Sequence, residues 1–202
     1  MTTATVDLDP EAIISDCYPR GSFTWELLIH HGEQVAAKAL AVIDYATWLS
    51  IDRDFVWQAA MLHDIGIGRV NAPGLGCTGA LPYVCHGVEG RAMLDRRGLP
   101  RHGWVCERHV GVGITIRQIV QRKLPLPLRE MLPISTEERL ICYADKFFSK
   151  SDNGRHEKPV DAIVKGLARY GADNVSRFNG LHRFFTDPRH AVPAMAHNGF
   201  PL

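Results

Sequence analysis

The stretch AAMLHDIGIGR, residues 59 to 69, closes an apolar helical run with an imidazole beside a carboxylate and follows them with two glycines. On a helix His63 stacks over Val56, Ala59 and Ala60, while Asp64 stacks over Trp57, Ala60 and Met61, so both polar groups lie on apolar ground. A buried carboxylate is costly unless it is paired or bound to a metal. Neighbouring helical residues diverge by about 100°, so the two side chains can aim at one point only where the helix stops. Gly66 and Gly68 are expected to stop it by admitting left-handed backbone.

The same facing test picks out four more inward polar residues. His31 follows Leu27 and Leu28 by one turn and precedes Val35 by another, whereas His30 shares its face with Glu26, Glu33 and Gln34. Asp145 lies on a stripe with Ile141 and Phe148, and His109 on one with Val105 and Cys106. His86 opens a helix in which Gly87 and Gly90 leave room beside it. Lys and Arg are nearly absent from these faces, so four imidazoles and two carboxylates sharing one interior require a cation from elsewhere. A metal supplies it. Imidazole with carboxylate suits iron, manganese, zinc, cobalt or nickel better than calcium, and inward thiolates at zinc-site spacing are lacking. Six donors exceed one open catalytic site, and a binuclear centre bridged by Asp64 uses them all.

The apolar spacing is helical almost throughout and nowhere alternates over a β-branched run, which makes the chain all-α. Helices are expected at 11–16, 23–49, 54–64, 84–97, 101–110, 112–122, 136–151, 158–170 and 173–185. Ser135 and Glu138 form a capping-box pattern after the proline-rich connector LPLPLREMLP. Residues 66–83 hold five glycines and two prolines and are expected to form a long lid loop. With 202 residues, 46% of them hydrophobic, one sizeable core is expected. Residues 1–22 form an N-terminal extension, 23–151 the metal-binding core, and 152–202 further helices and a tail of the same domain. Trp25, Trp48, Trp57 and Trp104 fall among apolar helix positions and are expected in the core. The tail after Asp187-Pro188 lacks periodicity and is expected to wrap the surface or fray.

A net charge of +1 gives no footprint for a nucleic-acid polymer. The acidic N-terminus and the lack of a long apolar run argue against a secretion signal or membrane span, which implies a cytoplasmic protein without a membrane partner. Five cysteines form no C-x-x-C pair and are expected to be reduced thiols.

His31, the His63-Asp64 doublet and the distant Asp145 resemble the HD superfamily of metal-dependent phosphohydrolases, and LHDIGIGR resembles its HDIG subgroup, over roughly residues 25–150. The resemblance implies that His31, His63, Asp64 and Asp145 hold one divalent ion and that Asp64, His86 and His109 hold a second. Iron or manganese comes first, with zinc, cobalt, nickel or magnesium also compatible. It implies hydrolysis of a phosphomonoester or phosphodiester, on a nucleotide-like or other small phosphorylated substrate, by attack of a metal-bound hydroxide on phosphorus, with His63 and Asp64 at the chemistry. Ile67 stands where many cyclic-dinucleotide phosphodiesterases of the superfamily carry lysine, and their Gly-Tyr-Pro signature is absent. Lys146 and Arg69 are the first candidates for the substrate phosphate, with Arg108 and Arg117 behind them. Cys77 and Cys85 flank the lid tip, either as small buried residues or as thiols lining the pocket near the metals, and Glu89 is a candidate partner for His86. The same ligand set also resembles that of HD-fold mixed-valent di-iron oxygenases, and a nucleotide-sensing module without catalysis is a third reading.

Overall fold

The computed structural model describes residues 8–150 and 156–190. Its α-helices are α1 (Pro10–Cys17), α2 (Phe23–Tyr45), α3 (Arg53–Leu62), α4 (His86–Asp95), α5 (Pro100–Arg108), α6 (Ile116–Arg122), α7 (Thr136–Asp145), α8 (Val160–Ala168) and α9 (Ala172–Thr186). Among the described residues the only sheet is the antiparallel pair β1 (Asn71–Ala72) and β2 (Cys77–Thr78). The protein is all-α, and every stretch with helical periodicity holds a helix.

Polar caps set several helix starts. Asp9 accepts from the Glu11 and Ala12 amides at the head of α1, Ser22 from Trp25 at α2, and Asp52 from Phe55 at α3. Most boundaries shift by one or two residues, and three shift by at least four. Helix α2 ends at Tyr45, short of residue 49. Helix α6 begins at Ile116 and not at 112, because Gly111 and Gly113 take φ of 66° and 77° and Thr115 forms a full capping box with Gln118. Helix α7 ends at Asp145, after which Phe147 and Phe148 bond back only three residues, to Ala144 and Asp145. The Ser135 cap forms only half of its box: Ser135 Oγ accepts the Glu138 amide, while the Glu138 carboxylate accepts from the Ile134 amide at 2.8 Å and from Arg108 at 2.9 Å.

The glycine-rich stretch is more structured than an open loop. It contains 3-10 turns at Ile67–Arg69, Pro73–Leu75 and Tyr83–Cys85 besides the β1–β2 pair. Residues 191–202 of the expected tail and the end of the expected 136–151 helix lie outside the described residues.

Of three apolar clusters in the interior, two flank the polar residues. The larger joins Val35, Ala39, Val56, Ala60, Leu140, Ile141 and Tyr143 to Phe178, Leu181 and Phe185 of α9. The smaller gathers Ile14, Leu28, Leu62, Ile65, Ile67, Met93, Leu94 and Cys106. His31 lies one turn after Leu28 of the smaller and one turn before Val35 of the larger, so the polar residues sit at the seam between them. The tryptophan expectation fails in part. Trp57 and Trp104 stand on outer helix faces, 42% and 37% exposed, because the inner faces of α3 and α5 are filled by smaller residues such as Ala59, Ala60 and Val105.

Candidate metal centre

Five of the six candidate ligands sit at helix ends. His63 caps the C-terminus of α3 and Asp64 follows it; His86 opens α4, His109 caps α5, and Asp145 is the last residue of α7. His31 projects from the middle of α2, and it is buried while His30 is exposed. The convergence of His63 and Asp64 follows from the end of α3, although the glycines act otherwise than expected. Neither Gly66 nor Gly68 has positive φ. Gly66 is needed for space: a Cβ there would lie 2.1 Å from the His86 carbonyl oxygen and 2.4 Å from the Gly90 nitrogen. The Tyr18 ring crowds Gly68 in the same way, and its hydroxyl donates to the Ile65 carbonyl at 2.5 Å and accepts the Gly68 amide at 2.9 Å.

Asp64 is the geometric centre of the cluster. Its Oδ2 lies 3.1 Å from His63 Nε2 and 3.5 Å from His31 Nε2, while its Oδ1 lies 3.4 Å from both His86 Nε2 and His109 Nε2. Asp145 Oδ1 stands 3.0 Å from His31 Nε2 and 3.5 Å from His63 Nε2. All six residues are buried, Asp145 being the most exposed at 7%. Three overlapping sets, His31–His63–Asp64, His63–His109–Asp145 and Asp64–His86–His109, each place ligand atoms within 4.8 Å of one another.

Backbone carbonyls fix the imidazole tautomers. Nδ1 of His63 lies 2.6 Å from the Ala60 oxygen, Nδ1 of His86 2.6 Å from the Tyr83 oxygen, and Nδ1 of His109 2.8 Å from the Cys106 oxygen. A carbonyl can only accept, so each Nδ1 carries a proton, and in a neutral ring Nε2 then turns a lone pair toward the cluster. Tyr83 therefore orients His86, and Glu89 does not hold that position.

Burial, against which the neighbouring carboxylates work, pushes His31 down to about 4 and His86 down to about 3, which keeps both rings neutral and able to ligate. Burial alone would lower His63 too, but Asp64 and Asp145 outweigh it and lift the ring to about 9. Both aspartates are held well below the usual carboxylate range despite burial, Asp64 by His63 and Lys150, Asp145 by Lys146 and Lys150. Asp64 Oδ1 is buried without a hydrogen-bond partner. That oxygen, with the imidazole nitrogens of four histidines gathered around two ionised carboxylates, fits a divalent cation, and the donor types suit iron, manganese, zinc, cobalt or nickel.

Two ammonium groups reach the carboxylates. Lys146 Nζ is 2.6 Å from Asp145 Oδ2, and Lys150 Nζ is 2.6 Å from Asp64 Oδ2. Lys150 escapes helical-spacing arguments: five residues past Asp145 it would point about 140° away on a continued helix, and it returns only because α7 stops. Both lysines line a cavity of about 670 Å³ with Asp145, Lys158, Arg169 and, from the glycine-rich stretch, Leu75 and Tyr83. Arg69 is exposed and lines a separate 480 Å³ cavity with Tyr18, Arg96 and Arg97, so the structure does not bring it to the cluster. Arg108 is paired with Glu138, and Arg117 is exposed. Cys77 and Cys85 are buried free thiols whose Sγ groups donate to the Leu75 and Pro125 carbonyls; burial raises both. No helix among the described residues is long and apolar enough to cross a membrane.

Comparison with known proteins places this cluster. The HD domain family matches residues 28–149. An uncharacterized protein of Methanocaldococcus jannaschii is 29% identical over 143 residues, covering 66% of this chain and 75% of its own length. A protein of Thermoplasma volcanium named tRNA (cytidine(56)-2'-O)-methyltransferase is 28% identical over 162 residues, 80% of this chain but 42% of that one. Its namesake in Picrophilus torridus is 30% identical over 125 residues, 61% of this chain and 32% of the relative. The chain thus spans less than half of those two relatives. No solved structure matches it. Because the family match covers more than half of the chain and contains all six clustered His and Asp residues, the protein belongs to the HD domain family, a superfamily of metal-dependent hydrolases.

Proposed function

We propose that the protein is a phosphohydrolase that cleaves a small phosphoester with two divalent ions shared through Asp64. The observation that carries the proposal is the division of labour at that carboxylate, with Oδ2 facing His31 and His63 and Oδ1 facing His86 and His109. His31, His63 and Asp145 would complete one site, and His86 and His109 the other. Ions held there supply Lewis acidity toward phosphoryl oxygens and lower the pKa of coordinated water.

The chain's own residues do the rest. The Nδ1–carbonyl bonds hold the three rings in the ligating tautomer and orientation. Lys146 and Lys150 put positive charge at the carboxylates, and with Lys158 and Arg169 they make the mouth of the 670 Å³ cavity cationic, which suits an anionic substrate. The Lys146 and Lys150 ammonium groups, which line this cavity, would bind phosphoryl oxygens and offset the charge that develops as the ester bond breaks. Leu75 and Tyr83 line the cavity from the glycine-rich side.

The test is hydrolysis of a phosphoester panel by manganese- or iron-loaded protein, with dioxygen uptake measured in parallel. Phosphate or monoester release without oxygen uptake, abolished by Asp64→Ala, is the expected result. Hydrolysis that survives Asp64→Ala, or substrate-dependent oxygen uptake, would contradict the proposal.

A further inference from the structure

A second cavity, of about 510 Å³, abuts the cationic one and shares Tyr83, Lys146, Leu167 and Tyr170 with it. Its connection to the chemistry is direct: the Tyr83 ring lies 4.6 Å from the His86 ring, and Lys146 is paired with Asp145. Away from that shared wall the lining is mainly aliphatic, with Val84, Val110, Ile114 and Leu124. Three polar side chains also line it, and each is already engaged. Gln118 Nε2 donates to Asn174 Oδ1, and Gln118 Oε1 accepts from the Thr115 amide and from Arg177. Asn174 Nδ2 donates to the Tyr170 carbonyl at 2.8 Å, and the Arg122 guanidinium donates to the same carbonyl. A nucleobase brings several donors and acceptors that need partners, and here the Gln118 and Asn174 amide oxygens are already occupied and the rest of the wall is mainly aliphatic.

From this we infer that the 510 Å³ cavity is the subsite for the ester's organic group, and that this group is apolar, aryl or branched alkyl, in place of a nucleoside. The inference rests on the phosphoester reading above. It divides substrate recognition between a cationic cavity that takes the phosphoryl group and an apolar one that takes the rest. Each methylene moved from water into such a cavity raises affinity about fourfold.

The experiment is calorimetric titration of manganese-loaded protein with the non-hydrolysable methyl-, butyl- and phenylphosphonates and with adenosine 5'-monophosphate. Phenylphosphonate is expected to bind at least about tenfold more tightly than methylphosphonate and more tightly than the nucleotide. Leu124→Trp, which fills the cavity, should collapse that ratio, and Leu124→Ala, which enlarges it, should move the preference toward naphthylphosphonate. Either variant suffices if the other melts abnormally. Methylphosphonate binding without any effect of size, a ratio unchanged by both substitutions, or tighter binding of the nucleotide would overturn the apolar subsite while leaving the phosphoester reading in place. Failure of every phosphonate to bind would overturn both.

Discussion

Gly66 and His86 meet with no room for a side chain between them, since a Cβ on Gly66 would stand 2.1 Å from the His86 carbonyl oxygen. The obstacle is backbone and cannot step aside by changing rotamer. Through this contact the turn after the His63–Asp64 doublet is held against the first turn of α4, which carries His86, another candidate ligand. Gly66 has φ of −81°, which alanine adopts freely, so Gly66→Ala isolates the packing effect. The substitution should destabilise the protein by about 2–3 kcal/mol and lower its metal content, read by thermal melting and metal analysis. An unchanged melting temperature would show that the turn has slack.

Tyr18 ties α1 to the same turn through two hydrogen bonds, to the Ile65 carbonyl and from the Gly68 amide. Tyr18→Phe leaves the ring packing and removes both bonds. A loss of about 1–3 kcal/mol in denaturant unfolding is expected, with the slope of the transition unchanged.

The six-residue cluster was legible in the sequence because burial of ionisable groups leaves a periodic trace: His31, His109 and Asp145 each recur on an apolar stripe at helical spacing. Lys150 left no such trace, since its approach to Asp64 depends on where α7 stops, and a five-residue offset reads as the wrong face. The role of Gly66 was misassigned for a related reason. Glycine serves both left-handed backbone and close approach, and only the position of α4 decides between them. Helix identity followed from local periodicity, while the ends of α2, α6 and α7 depended on caps and on glycine conformations set by tertiary packing.

Lys150 gives Asp64 a counter-charge. In the presence of chelator, Lys150→Met should destabilise the protein by about 3 kcal/mol, because it leaves a buried carboxylate without its nearest cation. Added manganese should then raise the melting temperature of the variant more than that of the wild type, since binding to the folded state replaces the missing charge. Differential scanning fluorimetry with and without the metal reads both effects, and equal shifts in the two proteins would count against the pairing.

His102 gives a pH dependence separable from the metal ligands. Burial, aided by Arg101, lowers its ring to about 4, and it packs against Phe55 with Nε2 facing Gln58. Above the unfolded value of about 6.5 the ring is neutral in both states and contributes no pH dependence. As the pH falls from there toward about 4, only the unfolded chain gains the proton, so stability declines. In the presence of chelator, His102→Gln should remove about 2 kcal/mol of the wild-type decline between neutral pH and the acid end of that window. Parallel stability curves for the two proteins would show that His102 is not titrating there.

In the proposed centre Asp64 serves two ions at once. Manganese and iron content per chain, measured by mass spectrometry after loading and exhaustive dialysis, tests this for the wild type beside Asp64→Asn. Two ions per wild-type chain, with loss of both on removal of the bridging charge, is the predicted result. A wild type that retains no metal, or an Asp64→Asn protein that still carries two ions, would contradict it.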